Sequence, residues 1–97
     1  MLKHIVFMKF KPEVAEADIA GLQKKLGRLP ALIPEIKTFE FGQDILHTER
    51  SWDFAVVSAF DDLEAMKCYQ VHPDHQEVVV TEVRAMCESI VVVDFEY

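Results

Sequence analysis

The sequence predicts an α+β fold in the order βαββαβ, with one antiparallel four-stranded sheet and helices on one of its faces. Three observations carry this. Four segments rich in β-branched and aromatic residues alternate with segments whose apolar residues recur at helical spacing. The two middle strands are separated only by a short polar turn, so they pair as a hairpin. The 97 residues contain no linker, low-complexity tract or internal repeat, so a single domain, residues 1–97, shares one core.

Each element is legible in turn. Leu2 to Phe10 is β-branched and aromatic and ends before Pro12. Val14 to Leu29 places Ile19, Leu22, Leu26 and Leu29 on one helical face; Gly27 weakens its end and Pro30 breaks it. Ile36 to Ile45 reads as a second strand, His47-Thr48-Glu49-Arg50-Ser51 as a turn, and Trp52 to Phe60 as a third strand. Asp61 to Tyr69 is a short helix, with Asp61 and Glu64 at capping-box spacing. A break before Pro73 starts another helix, whose stripe is His75, Val78, Val79, Glu82, Val83 and Met86. Ser89 to Phe95 is the last strand. This order is the ferredoxin-like pattern.

The strands carry a second message. A sheet with one wet face alternates apolar and polar residues, and these strands do not. Ile5 and Phe7 oppose Leu2, Val6, Met8 and Phe10; Phe54 and Val56 oppose Ala55, Val57 and Ala59; Ile90 and Val92 oppose Val91, Val93 and Phe95. Helices cover one face only. The simplest cover for the other is the same sheet of a second copy, which predicts a homodimer with a large apolar interface that includes the first and last strands.

Composition excludes several partners. The chain is 51% apolar and 28% charged with a formal net charge of -7 and no basic run, which disfavours nucleic acid and anionic membranes. Cys68 and Cys87 have no metal-type spacing and read as buried thiols of a reducing compartment. The N-terminal apolar run is interrupted by Lys9 and Lys11, so it is neither a signal peptide nor a membrane span. A cytoplasmic location is expected.

The chemistry concentrates in Tyr69-Gln70-Val71-His72-Pro73-Asp74-His75, a phenol and two imidazoles within seven residues. Tyr69 falls in the last turn of one helix and His75 in the first turn of the next, where a helix N-terminus favours the neutral imidazole. His75 is either a base that removes a proton alpha to a carbonyl or a half-buried ring bonded to Tyr69. Tyr69 either donates to a developing enolate or packs its ring and satisfies its hydroxyl on the backbone. The break brings the two side chains within a water-bridged distance, bordering a cleft between sheet and helices. His72 is expected to hold the junction by bonding backbone across the Pro break. His4, in phase with Val6 and Met8, is a cleft residue or a core histidine. His4, His72 and His75 fit no metal-ligand spacing, so no metal is expected. His47 belongs to the solvated turn. Glu82 is about 10 Å along the helix from His75, too far to orient it. There is no Gly-rich phosphate loop, nucleophile elbow or activated Cys, so any reaction here is cofactor-free proton transfer on a small apolar or aromatic molecule.

Lys3-His4-Ile5-Val6-Phe7-Met8-Lys9-Phe10-Lys11, Gly42-Gln43-Asp44, Tyr69-x-x-His72-Pro73-x-His75 and Val91-Val92-Val93-Asp94-Phe95 resemble the stress-responsive A/B barrel (dimeric α+β barrel) family over nearly the whole chain. The resemblance implies a ferredoxin-like dimer whose two sheets form a barrel. Members include plant stress-associated proteins and a plant polyketide cyclase that closes a linear polyketide by aldol condensation. In that cyclase a Tyr and a His matching Tyr69 and His75 carry the chemistry, and His4 and His72 fall on family His positions. Phe54 stands where the cyclase has a further His, so that part of its pocket chemistry is not reproduced. Two readings follow: a homodimer that binds a small apolar or aromatic ligand through Tyr69, His75, His4, His72 and Phe54, or a cofactor-free cyclase, isomerase or lyase that uses Tyr69 and His75.

Overall fold

A computed structural model describes all residues, 1–97. Strands β1 (Leu2–Phe10), β2 (Thr38–Gln43), β3 (Phe54–Phe60) and β4 (Cys87–Glu96) form one sheet in the order β2-β3-β1-β4. Every pairing is antiparallel, and β1 lies between β3 and β4. This is the ferredoxin-like arrangement expected from the element order.

The helices lie on one face. Helix α1 (Glu16–Leu26) carries Glu16 and Asp18 in its first turn and Lys24 and Lys25 in its last, complementing the helix dipole at both ends. The predicted helix to Leu29 instead ends at Leu26, and a separate turn, α2 (Leu29–Leu32), follows. Pro30 sits in its first turn, where its missing N–H costs nothing, so Pro30 begins a helix rather than simply ending one. Helix α3 (Leu63–Val71) is capped by Asp62, whose Oδ1 accepts the Ala65 N–H at 2.9 Å. Asp61, the expected cap, pairs with Lys37 at 3.4 Å instead. The final helical run is not one α-helix. It opens as α4 (Pro73–His75), widens into a π-helix over Gln76–Val83, and closes as α5 (Arg84–Met86). The wider turn puts Val78 and Val83, five apart, on the buried side, and Glu82 pairs with Lys25 at the surface.

The core lies between sheet and helices. Leu2, Met8, Phe10, Phe54, Val56 and Phe60 from β1 and β3 pack against Ile19, Leu22, Leu26, Leu29, Ile33, Met66, Val78 and Val83. Each such buried side chain contributes about 1.5–3 kcal/mol relative to exposure. The opposite face is open. Phe7, Val91, Val93 and Phe95 are all more than two-fifths exposed, and Ile5, Ala55 and Val57 lie between them, half-buried.

The connection between β2 and β3 differs from the short turn predicted. It spans ten residues, 44–53, and both flanking strands are shorter than expected. Asp44, Thr48, Ser51 and Asp53 organise it through hydrogen bonds, including Asp53 Oδ2 to the Phe10 N–H at 2.8 Å. His47 is exposed there, at φ 54°. Of the two thiols, Cys87 is buried as expected but Cys68 is exposed on the outer side of α3.

Candidate functional site

The Pro73 break determines the local geometry. His72 leaves the helix in an extended conformation, with φ -62° and ψ 135°, as a residue before proline does. Its ring Nδ1 then accepts the Asp74 N–H at 3.2 Å and so caps α4. His72 therefore bonds backbone across the junction.

The turned chain brings Tyr69 and His75 together. Their ring centroids are 4.2 Å apart, which is direct contact. Tyr69 also meets Phe60 at 5.0 Å and His4 at 6.3 Å, the latter edge-on. All three polar rings are buried: Tyr69 is 2% exposed, His4 6% and His75 8%. His4 reaches the cluster because it shares the helix-covered face of β1 with Leu2 and Met8, in register with Ser58 of β3 and Asp94 of β4.

Each imidazole is held through one nitrogen. His75 Nδ1 donates to the Gln70 carbonyl oxygen at 3.0 Å, which leaves Nε2 as the nitrogen with the lone pair. His4 Nδ1 donates to the Asp94 carboxylate. The Tyr69 hydroxyl and the Nε2 atoms of His75 and His4 have no hydrogen-bond partner within the chain, and none of the three is sealed from solvent. The expected bond between Tyr69 and His75 is thus a ring contact instead. Asp94 is the functional candidate that sequence reasoning missed. The antiparallel register of β4 against β1 is what places it on His4, and that register depends on pairing not visible in either strand alone.

Burial shifts the two central groups in opposite directions. His75 titrates below the ordinary imidazole range, chiefly through desolvation; the Gln70 carbonyl opposes this, and His4 and His72 reinforce it. Burial, not the helix N-terminus, is the leading cause, and α4 is only three residues long. Desolvation likewise pushes the Tyr69 phenol far above its usual range. At neutral pH the result is a neutral imidazole touching a protonated phenol.

Two expected features are differently placed. Phe54 is buried against Phe10 and Phe41 and pairs with Met8, four residues along β3 from Ser58, or about 13 Å from the His4 end. The surface grooves also lie elsewhere; the one between α1 and the π-helix is lined by Gly21, Leu22, Lys25 and Glu82, and no groove is lined by Tyr69, His75 or His4. The rings fill the space where a cleft was expected. No three His, Cys, Asp or Glu side chains converge at metal-binding separations. No helix is long and apolar enough to cross a membrane.

Comparison with known proteins adds the following. The family described as Stress responsive A/B Barrel Domain matches residues 2–97. The chain is 30% identical over 76 residues to olivetolic acid cyclase of Cannabis sativa, covering 76% of this chain and 75% of that protein. It is 27% identical over 97 residues to stress-response A/B barrel domain-containing protein HS1 of Arabidopsis thaliana, covering 98% and 88%. Among solved structures, a dimeric ferredoxin-like protein of unknown function from Thermobifida fusca superimposes with a TM-score of 0.90 at 31% identity, covering 99% of this chain and 90% of that one.

Proposed function

Because the chain belongs to the stress-responsive A/B barrel domain family, we propose that it acts as a homodimer that binds a small apolar or aromatic ligand at Tyr69, His75 and His4. The observation that carries this is the cluster of three largely buried rings, Tyr69 lying 4.2 Å from His75 and 6.3 Å from His4 between centroids, whose hydroxyl and Nε2 atoms have no partner in the chain. These atoms keep some access to solvent and are unpaired in the chain, so they suit a ligand with one or two oxygen atoms on an apolar body. No groove adjoins the rings, so binding is coupled to a shift of the helices that cover them. Dimerisation is supported by the exposed apolar face of β1, β3 and β4 and by the dimeric description of the Thermobifida fusca and Bacteroides fragilis structures. The unpaired Cys68 and Cys87 fit the reducing cytoplasm.

A second reading, cofactor-free proton transfer, is favoured by one specific feature. His75 is held with Nε2 free and its neutral form is favoured by burial, beside a phenol that is protonated at neutral pH and that burial makes harder to ionise. In this reading Nε2 removes a proton alpha to a carbonyl, and the Tyr69 hydroxyl donates to the enolate oxygen as charge develops there. The kinship with olivetolic acid cyclase supports it. The test is a thermal-shift screen of aromatic ketones and phenols against wild type and His75→Ala. Stabilisation of wild type alone supports the site; equal stabilisation of both places binding elsewhere and overturns the proposal. Deuterium exchange at the alpha carbon of a bound ketone, lost in His75→Ala, separates turnover from binding.

A further inference from the structure

The Pro73 break leaves one backbone group in an unusual position. The Gln70 carbonyl lies in the last turn of α3, and the N–H four residues on, that of Asp74, donates to the His72 ring instead. Pro73 has no N–H to offer. The Gln70 oxygen is answered by two side chains from the next helical run: His75 Nδ1 at 3.0 Å and Gln76 Nε2 at 2.6 Å. A carbonyl only accepts, so Gln76 presents its amide N–H there. Gln76 is also the first residue of the π-helix, and its own carbonyl accepts the Thr81 hydroxyl at 3.5 Å.

We propose that Gln76 is a positioning residue: it donates to the same Gln70 oxygen that holds the His75 ring with Nε2 free, and by sharing that acceptor it tempers the ring's basicity. This rests on the reading of His75 as the acting group of the site. The physical reason is competition for one acceptor. The oxygen sits at the negative end of the α3 dipole, so alone it strengthens the Nδ1–H bond and favours the imidazolium. A second donor draws off part of that charge and holds the neutral form. The other groups around the ring are His4 from β1 with Asp94 of β4 behind it, Tyr69 of α3, and His72 and Asp74 at the junction. None of them shares the Gln70 oxygen. Gln76 is therefore the side chain that adjusts the base without touching a ligand.

The experiment is a pH titration of uniformly 15N-labelled protein followed through the His75 ring nitrogens, comparing wild type with Gln76→Met and Gln76→Ala. Methionine has similar length and no donor. In wild type, the neutral ring should show protonated Nδ1 and bare Nε2. In either variant the His75 midpoint should rise by about half a unit or more. An unchanged midpoint with lowered thermal stability reduces Gln76 to a brace between helices and overturns the inference. A wild-type ring protonated on Nε2 instead removes the basis for His75 as a base, which is a failure of the functional reading and is seen without any variant.

Discussion

Removing a single oxygen from Tyr69 separates a ligand-directed hydroxyl from a structural one. Tyr69→Phe keeps the ring contacts with His75 at 4.2 Å and Phe60 at 5.0 Å. The hydroxyl has no partner in the chain, so its removal leaves no group unsatisfied. The expected change in unfolding free energy is within about 0.5 kcal/mol of zero, whereas stripping a buried hydrogen-bonded hydroxyl costs its partner about 1–3 kcal/mol. Tyr69→Ala, which empties a site 2% exposed, should cost about 3–5 kcal/mol. Urea unfolding followed by circular dichroism resolves these values, provided protein concentration is fixed, because a dimer's apparent stability depends on it. Ligand affinity should fall about 3- to 10-fold in Tyr69→Phe, the worth of one neutral hydrogen bond. A stability loss above 1 kcal/mol in Tyr69→Phe, or unchanged affinity, would refute the assignment of a free, ligand-facing hydroxyl.

Three further outcomes are expected. Val93→Asp places a charge on the open apolar face and should halve the mass seen by light scattering at micromolar concentration; a wild type that already runs as a monomer would end the dimer proposal. His75 titrates lower folded than unfolded, so the unfolded chain binds more protons below about pH 6.5; its contribution is intact above that pH and is lost on acidification, at up to about 1.4 kcal/mol per pH unit, and His75→Phe should flatten that slope in unfolding experiments. Asp62→Ala should cost about 1 kcal/mol through loss of the α3 cap, while Asp61→Ala leaves stability within about 0.5 kcal/mol; the reverse order would restore Asp61 as the cap.

The element order and the open face were legible because both rest on local periodicity. β-branched runs at period two and apolar stripes at helical spacing are written residue by residue, and they identify β1 to its ends and place Tyr69 and His75 on either side of Pro73. Apolar residues on both faces of β1, β3 and β4 pointed to a sheet needing a second cover, and Phe7, Val91, Val93 and Phe95 are exposed as that reading requires. What only the tertiary structure decided depends on pairing and on competition for single atoms. The register of β4 on β1 put Asp94 on His4, and no periodicity within either strand specifies it. The cap of α3 moved by one residue because backbone geometry chose Asp62 over Asp61, both acidic and adjacent. The π-helix replaced an α-helical stripe that the valines of 78–83 fit almost as well. His75 turned its Nδ1 to the Gln70 carbonyl rather than to Tyr69, because the Pro73 break left that half-buried oxygen without its usual backbone donor, and such an acceptor takes a donor that is within reach.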